Sequence, residues 1–279
     1  ADDLVSGSLE PVARVRKQVA ARQADDLSPV SESGLPDEVL PLVQELNLLF
    51  GRVKTAFDAQ QHFVADAAHE LRTPLAALKL QAQSLERADS EEARSVAVAR
   101  LTSGIERATR LVEQLLVLAR QEASAASGAK VQDVSLADLA RRTLGDLAGP
   151  AQAKAIDLGL ERADEVSIQG QPDGLAILMR NLVDNAIKYT PAGGKVDVEV
   201  RATEDGATLT VEDSGPGIPA EERERVFDRF YRIAGSEAGG SGIGMAIVKA
   251  IADRHGAKLV LDQSERLGGL NVKVEFRRP

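Results

Sequence analysis

FVADAAHELRTPL, residues 63–75, puts a histidine, a carboxylate, a hydroxyl and a proline in fixed order on one stretch of helical pattern. Around His69, apolar residues recur every seven positions at Phe57, Val64, Leu71, Leu78 and Leu85, the stripe by which a helix joins a bundle. His69 falls on the face farthest from that stripe, so its imidazole is expected in solvent, open to whatever docks there. Thr73 lies one turn further along the same face, Glu70 is adjacent, and Pro74 removes a donor and crowds the carbonyl of Glu70, which predicts a kink just past the histidine. His62 occupies the same outward position one heptad earlier, and periodicity alone does not choose between the two.

Composition bounds the class. The 279 residues are enough for two or three modules, each with its own core. A formal charge of -9 without a dense Lys/Arg run argues against nucleic acid as the main partner. With no cysteine there is no disulfide framework, thiolate metal site or cysteine nucleophile. Aromatics are only 3% and tryptophan is absent, so the cores are built from Leu, Val, Ile and Ala, which favours helix bundles. No apolar stretch approaches the ~20 residues of a spanning helix and no signal peptide is visible at Ala1, so the chain as given is expected to be soluble.

Three regions separate. Residues 1–54 hold two helical patterns, Leu9, Val12, Val15 and Val19, then Val39, Leu42, Leu46, Leu49 and Val53, the second ending near LNLLFGRV. Between them runs a helix-breaking connector, DDLSPVSESGLPDE. Residues 55–124 read as a helical hairpin turning at ERADSEEAR, with Leu101, Ile105, Ala108, Val112, Leu115 and Ala119 spaced by four and three on the second helix. Two helices cannot enclose so wide an apolar face, and pairing with an identical hairpin gives the smallest closed solution, a four-helix bundle. ASAASGA, residues 123–129, is a flexible linker, and residues 130–279 alternate strand and helix signals.

The last region carries four further motifs. In LMRNLVDNAIKY, Asn181, Asn185 and Lys188 share one helix face while Leu175, Leu178, Leu182 and Ala186 form another. Amide oxygens can ligate magnesium without adding negative charge beside a polyphosphate, and the lysine can neutralise phosphate oxygens. In LTVEDSGPGIP, Asp213 ends the inward series of a strand, where a buried carboxylate needs a donor; an adenine amino group would supply one, with Gly215 and Gly217 letting the backbone approach the base. FDRFYR clusters Phe227 and Phe230 as an anchor for a mobile segment. In GGSGIGMAIV, Gly240, Gly242 and Gly244 precede a helix starting near Met245, whose N-terminus can receive phosphate oxygens. No strand precedes those glycines, as a dinucleotide fold would require.

Together these motifs resemble those of bacterial sensor histidine kinases. The stretch around His69 is similar to their phosphoacceptor pattern H-E-x-x-T-P, which His62 lacks. The resemblance implies His69 as the nucleophile toward the terminal phosphate of ATP, Glu70 as base or orienter, and Thr73 in placing a water for phosphatase activity. Imidazole suits the task, since it titrates at about 6.5 and keeps a lone pair at neutral pH. By the same resemblance Asn185 holds Mg²⁺, Asn181, Lys188 and Tyr189 contact the nucleotide, and Asp213 with Gly215 and Gly217 recognises adenine. Gly240, Gly242 and Gly244 belong to a lid over ATP, and Arg232 reaches toward the terminal phosphate. Met245 stands where leucine is commoner.

Residues 1–54 look like a HAMP relay, which in its usual setting follows a membrane span. The implied architecture is a helical relay, a dimeric four-helix bundle and a C-terminal α/β sandwich of the histidine kinase, chaperone and gyrase ATPase type. The implied partners are a second copy of the chain and the receiver domain of a response regulator, whose aspartate takes the phosphoryl group. The chain reads as the cytoplasmic part of an inner-membrane receptor, attached through a segment outside it. Two rivals stay open on sequence. An ATPase of the chaperone or topoisomerase kind would hydrolyse ATP without labelling itself, and a non-catalytic scaffold would bind no nucleotide.

Overall fold

Nothing between Leu40 and Glu86 stops a helix, and the computed structural model shows one helix, α2, across all 47 residues. The structure describes residues 12–23, 26–124, 131–233 and 240–277. The expected Leu9, the linker residues 125–129 and residues 234–239 of the expected lid lie outside these. Internal contacts divide the chain into two units, Ala1–His69 and Glu70–Pro279.

In the first unit a helix over residues 12–20, α1, is followed by the connector and the first part of α2. The connector is strapped to α2 by one side chain: Val30 N–H donates to Asn47 Oδ1 at 2.7 Å and Asn47 Nδ2 donates to the Val30 carbonyl at 3.0 Å. Val30 and Val43 are buried beside this clasp, whereas Leu42, Leu49 and Val53 of the expected stripe are exposed. A stripe traced through apolar residues alone passes over Asn47, the polar residue that sets which face of α2 meets the connector. The helix end expected near LNLLFGRV is also corrected. Gly51 is the weakest helix former there, and its cost of about 1 kcal/mol is too small to end a helix flanked by Leu49, Phe50, Arg52 and Val53.

In the second unit α2 continues through Pro74 as helix, turns at residues 87–90 and returns as α3, Glu91–Ser124. From Glu70 on, the half-buried positions of α2 are 70, 71, 74, 78, 81 and 85. Leu71, Leu78 and Leu85 therefore sit on the inner stripe as expected, but Phe57 and Val64 are 48% and 59% exposed. On α3 the buried positions are Ala97, Gly104, Leu111, Leu115 and Leu118. Gly104 lets the helices meet closely, since a Cβ there would lie 2.5 Å from Gln81 Oε1 and 2.8 Å from Leu78 Cδ2. Ile105 and Val112, placed in the buried stripe by sequence spacing, are 51% and 42% exposed. α3 thus carries two apolar stripes, of which this chain covers one.

The C-terminal part is a layer of three helices on a five-stranded sheet. Its elements are β1 (Gln132–Ser135), α4 (Leu136–Ala153), β2 (Asp157–Ala163), β3 (Ser167–Gly170), α5 (Pro172–Tyr189), β4 (Lys195–Thr203), β5 (Gly206–Asp213), α6 (Gly244–Arg254), β6 (Lys258–Gln263) and β7 (Leu270–Arg277). The large sheet has the order β2-β4-β5-β7-β6, with β2 parallel to β4 and the other pairs antiparallel, while β1 and β3 pair separately. Alternation builds the core: Val196, Val198 and Val200 of β4, Leu209 and Val211 of β5, and Val272, Val274 and Phe276 of β7 are all buried. Leu175, Leu178, Leu182 and Ala186 of α5 are buried too, which is the face the helical spacing predicts.

The opposite face of the sheet is ionic. Lys195 pairs with Glu161 at 3.0 Å and Asp197 at 3.2 Å, and Arg266 pairs with Asp197 at 2.6 Å and Glu212 at 2.8 Å. Linked charges there replace a second helical layer, and the buried Asp197 is held between two cations.

Candidate active site

A cavity of about 790 Å³ opens between the C-terminal half of α5, the end of β5 and the N-terminus of α6. Among the residues singled out by sequence, Asn185, Lys188, Tyr189, Asp213, Gly215, Gly217, Arg232, Gly242 and Gly244 line it. Asn181 and Gly240 do not, yet each touches its rim. A Cβ at Gly244 would lie 3.2 Å from Asn181 Oδ1 and 3.3 Å from Asn185 Nδ2, so the two amides of α5 face the first turn of α6. A Cβ at Gly240 would collide with the Lys188 ammonium, so that glycine is where the lysine passes.

Asp213 forms the buried end. It is 5% exposed, and its Oδ1 accepts from Gly215 N–H at 2.8 Å and Leu270 N–H at 3.1 Å. Its Oδ2 has no hydrogen-bond partner among the described residues and faces a cavity with mostly apolar walls, including Leu182, Val211, Ile218 and Val272. Burial pushes the Asp213 carboxyl above the usual carboxylate range, and the two backbone donors oppose that shift. A carboxylate fixed by one oxygen and open at the other is suited to a flat ligand with an N–H donor at its edge. Gly217 has φ +71°, a backbone state that a side chain would strain, and packs against Gly269.

The opposite end of the cavity is built from backbone. Gly242 also has φ +71°, and a Cβ there would come within 2.6 Å of the Phe230 backbone. Phe230 is itself left-handed at φ +63° and its N–H donates to the Gly242 carbonyl at 3.1 Å. The Phe-rich and Gly-rich motifs are thus clasped backbone to backbone, which holds Phe230 in a conformation unfavourable for an aromatic residue. The first N–H groups of α6 then open on the cavity beside Asn181, Asn185 and Lys188. That combination of helix N-terminus, amides and ammonium suits a polyphosphate, with Asn185 as the side chain able to offer an amide oxygen to a metal.

Several wall residues lie outside those the motif reading assigned a role. Lys154, just past α4, donates from Nζ to the carbonyls of Ile187 and Lys188 at 3.0 and 2.7 Å, capping the α5 terminus that presents Lys188 and Tyr189. Tyr231 lines the mouth, donates its hydroxyl to Glu222, and lies under the Arg225 guanidinium at 4.3 Å; the bond to Glu222 raises the Tyr231 pKa. Leu270 holds Asp213 from the β6–β7 turn, where the Gly268-Gly269 pair is the signal that could have marked a turn.

The other predicted residues lie on α2. His69 and Thr73 are exposed and Glu70 is half-buried; His62 is exposed as well.

Three stretches of the chain match known families. Residues 170–279 match the family described as histidine kinase-, DNA gyrase B- and HSP90-like ATPase. Residues 59–124 match the His Kinase A (phospho-acceptor) domain, and residues 9–54 match the Sensor protein PhoQ-like HAMP domain. The sensor protein QseC of Escherichia coli K12 is 40% identical over 275 residues, 98% of this chain and 60% of QseC, so the chain spans about three fifths of that relative. The sensor protein BasS of the same organism is 32% identical over 269 residues, covering 96% of this chain and 72% of BasS. Among solved structures, full-length ShkA in complex with AMPPNP superposes with a TM-score of 0.56 at 26% identity, over 78% of this chain and 46% of ShkA.

Proposed function

The chain belongs to the sensor histidine kinases of bacterial two-component systems, and we propose that it phosphorylates His69 from ATP and passes the phosphoryl group to an aspartate of a response regulator. The observation that carries this reading is the cavity that gathers Asn185, Lys188, Asp213 and the first turn of α6, in a chain that also presents an exposed H-E-x-x-T-P histidine.

In this mechanism Asp213 Oδ2 accepts from the adenine amino group, and the apolar walls stack on the base. Lys188 and the N–H groups before α6 hold the phosphates. Asn185, with Asn181 beside it, would hold a Mg²⁺ ion, which supplies positive charge to the phosphate oxygens. A lone pair of the His69 imidazole attacks the terminal phosphorus in line with the bond to the departing ADP oxygen, and that bond's electrons leave with ADP. Glu70 orients the ring and takes the proton from its other nitrogen. In the second reaction the regulator's carboxylate oxygen attacks the same phosphorus, the N–P bond breaks and His69 is restored. Thr73 positions a water for the reverse activity; unchanged dephosphorylation of a phosphorylated regulator by Thr73→Ala would count against that role.

The uncovered stripe of Ile105 and Val112 supports a dimer through α2 and α3, in which residues 55–124 of two copies form a four-helix bundle. Residues 1–54 act as the relay into it and residues 130–279 as the nucleotide domain. No helix among the described residues is long and apolar enough to cross a membrane. We place the chain on the cytoplasmic side, as part of a longer membrane receptor. The test is incubation with γ-labelled ATP and Mg²⁺. An alkali-stable, acid-labile label on the protein is expected; hydrolysis without label would favour a plain ATPase.

A further inference from the structure

Two helix ends meet beside the cavity, and one side chain joins them. α4 closes in a turn whose left-handed position is filled by Ala155 at φ +53°, where glycine would be unstrained. Ala155 N–H donates to the Gln152 carbonyl and Ile156 N–H to the Ala151 carbonyl, both at 2.9 Å. The turn fixes Lys154, the residue that closes α4, and sends its side chain to the far end of α5. Donors are short there. Thr190 N–H donates to the Ala186 carbonyl, but Pro191, next in helical order for Ile187, has no N–H. The Lys154 ammonium fills the gap, 3.0 Å from the Ile187 carbonyl and 2.7 Å from that of Lys188, and Lys154 is itself part of the cavity wall.

We propose that Lys154 is a positioning residue for nucleotide binding and acts through Lys188. This rests on the reading of the cavity as an ATP site. Lys188 carries its charge on a flexible side chain, with Nζ 3.3 Å from the Tyr189 hydroxyl and 4.7 Å from the centre of that ring, in the space that Gly240 leaves open. Lys154 ties the Lys188 carbonyl to the end of α4, so the backbone that bears this ammonium is ordered before any ligand arrives. Without the tie, two carbonyls lose their donor, the last turn of α5 frays, and binding must order it. The charge on Lys154 matters too, because the negative ends of two helix dipoles converge on it. Asp213 is held separately, by the N–H groups of Gly215 and Leu270, so the other end of the cavity does not depend on this joint.

The experiment is calorimetric titration of the full chain with Mg-ATP for wild type, Lys154→Met, Lys188→Met and the double variant, each first checked for folding by thermal melting. Lys154→Met should weaken ATP about three- to thirtyfold, up to the worth of one hydrogen bond to a charged group. In the Lys188→Met background the same change should cost less than about twofold, since no ammonium remains to be positioned, whereas in Asp213→Asn its full cost should persist. A purely structural role predicts the same loss in every background. That result overturns the proposal, as does wild-type affinity in Lys154→Met. If Lys154→Met does not fold, Lys154→Gln, which keeps one donor, takes its place in the cycle and the same comparison decides. Either contrary result in a wild type that binds ATP defeats this inference alone; a wild type that binds no ATP defeats the functional reading with it.

Discussion

α5 and α3 are both amphipathic helices, and they end in different conditions. Every apolar residue expected on the inner face of α5, Leu175, Leu178, Leu182 and Ala186, is buried by the chain itself. On α3 the chain buries Leu111, Leu115 and Leu118 and leaves Ile105, Val112 and Leu116 in solvent. The nucleotide domain is complete in one copy, so its functional groups are fixed by its own core. The helical hairpin carries its histidine outward and its surplus apolar stripe unmatched. The proposed nucleotide site is thus walled by one copy's own core, and the surface proposed to meet other proteins is left open.

Charging the open stripe is the strongest way to break this contrast. Ile105→Glu with Val112→Glu should convert a dimer to a monomer in light scattering after size exclusion, while ATP binding stays within about twofold, because neither residue touches the cavity. If the double variant remains dimeric, the second stripe is not the interface.

Next in size is Asp213→Asn. Losing the charged acceptor should weaken ATP about 10- to 100-fold by calorimetry, in the range of one hydrogen bond to an ionised group. The same change should raise the melting temperature at pH 7. Burial raises the folded-state pKa of Asp213, so the stability its environment confers is present below the unfolded value and is lost as pH rises through the folded value. Above the folded value the ionised carboxylate is a cost, which its proposed role in binding adenine would explain. An Asn variant that is less stable at pH 7 would contradict this assignment.

These two regions were also unequally legible in the sequence. Asp213 could be placed because a strand's period of two is rigid: Leu209 and Val211 fix its side. The face of α5 could be placed for the same kind of reason, since its apolar residues have a single partner layer. On α2 and α3 apolar residues occupy more than one stripe, so a heptad traced through Phe57 and Val64, or through Ile105 and Val112, mixed covered and uncovered positions. Asn47 was invisible because its work is done on the connector backbone, and Lys154 because it caps carbonyls 33 and 34 positions away.

The smallest expected effect separates the third histidine from the other two. His255 accepts from Gln171 N–H at Nε2 (3.0 Å), while its Nδ1 lies 2.7 Å from the Ile251 carbonyl, joining the end of α6 to the start of α5. The bond to Gln171 requires a neutral Nε2. Burial lowers the His255 pKa, so its contribution to stability is complete above the unfolded value of about 6.5 and is lost as pH falls through the folded value. Thermal melts from pH 7.5 to 5 should show wild type losing on the order of 1 kcal/mol more than His255→Asn. Parallel curves would show that the clasp does not titrate.

Of two equivalent-looking exposed histidines on α2, His69 is the one proposed to take the phosphoryl group, because it alone is followed by Glu70, Thr73 and Pro74. Labelling of wild type, His62→Gln and His69→Gln with γ-labelled Mg-ATP tests it directly. An acid-labile, alkali-stable label should survive in His62→Gln and be absent from His69→Gln; label persisting in His69→Gln would overturn the assignment.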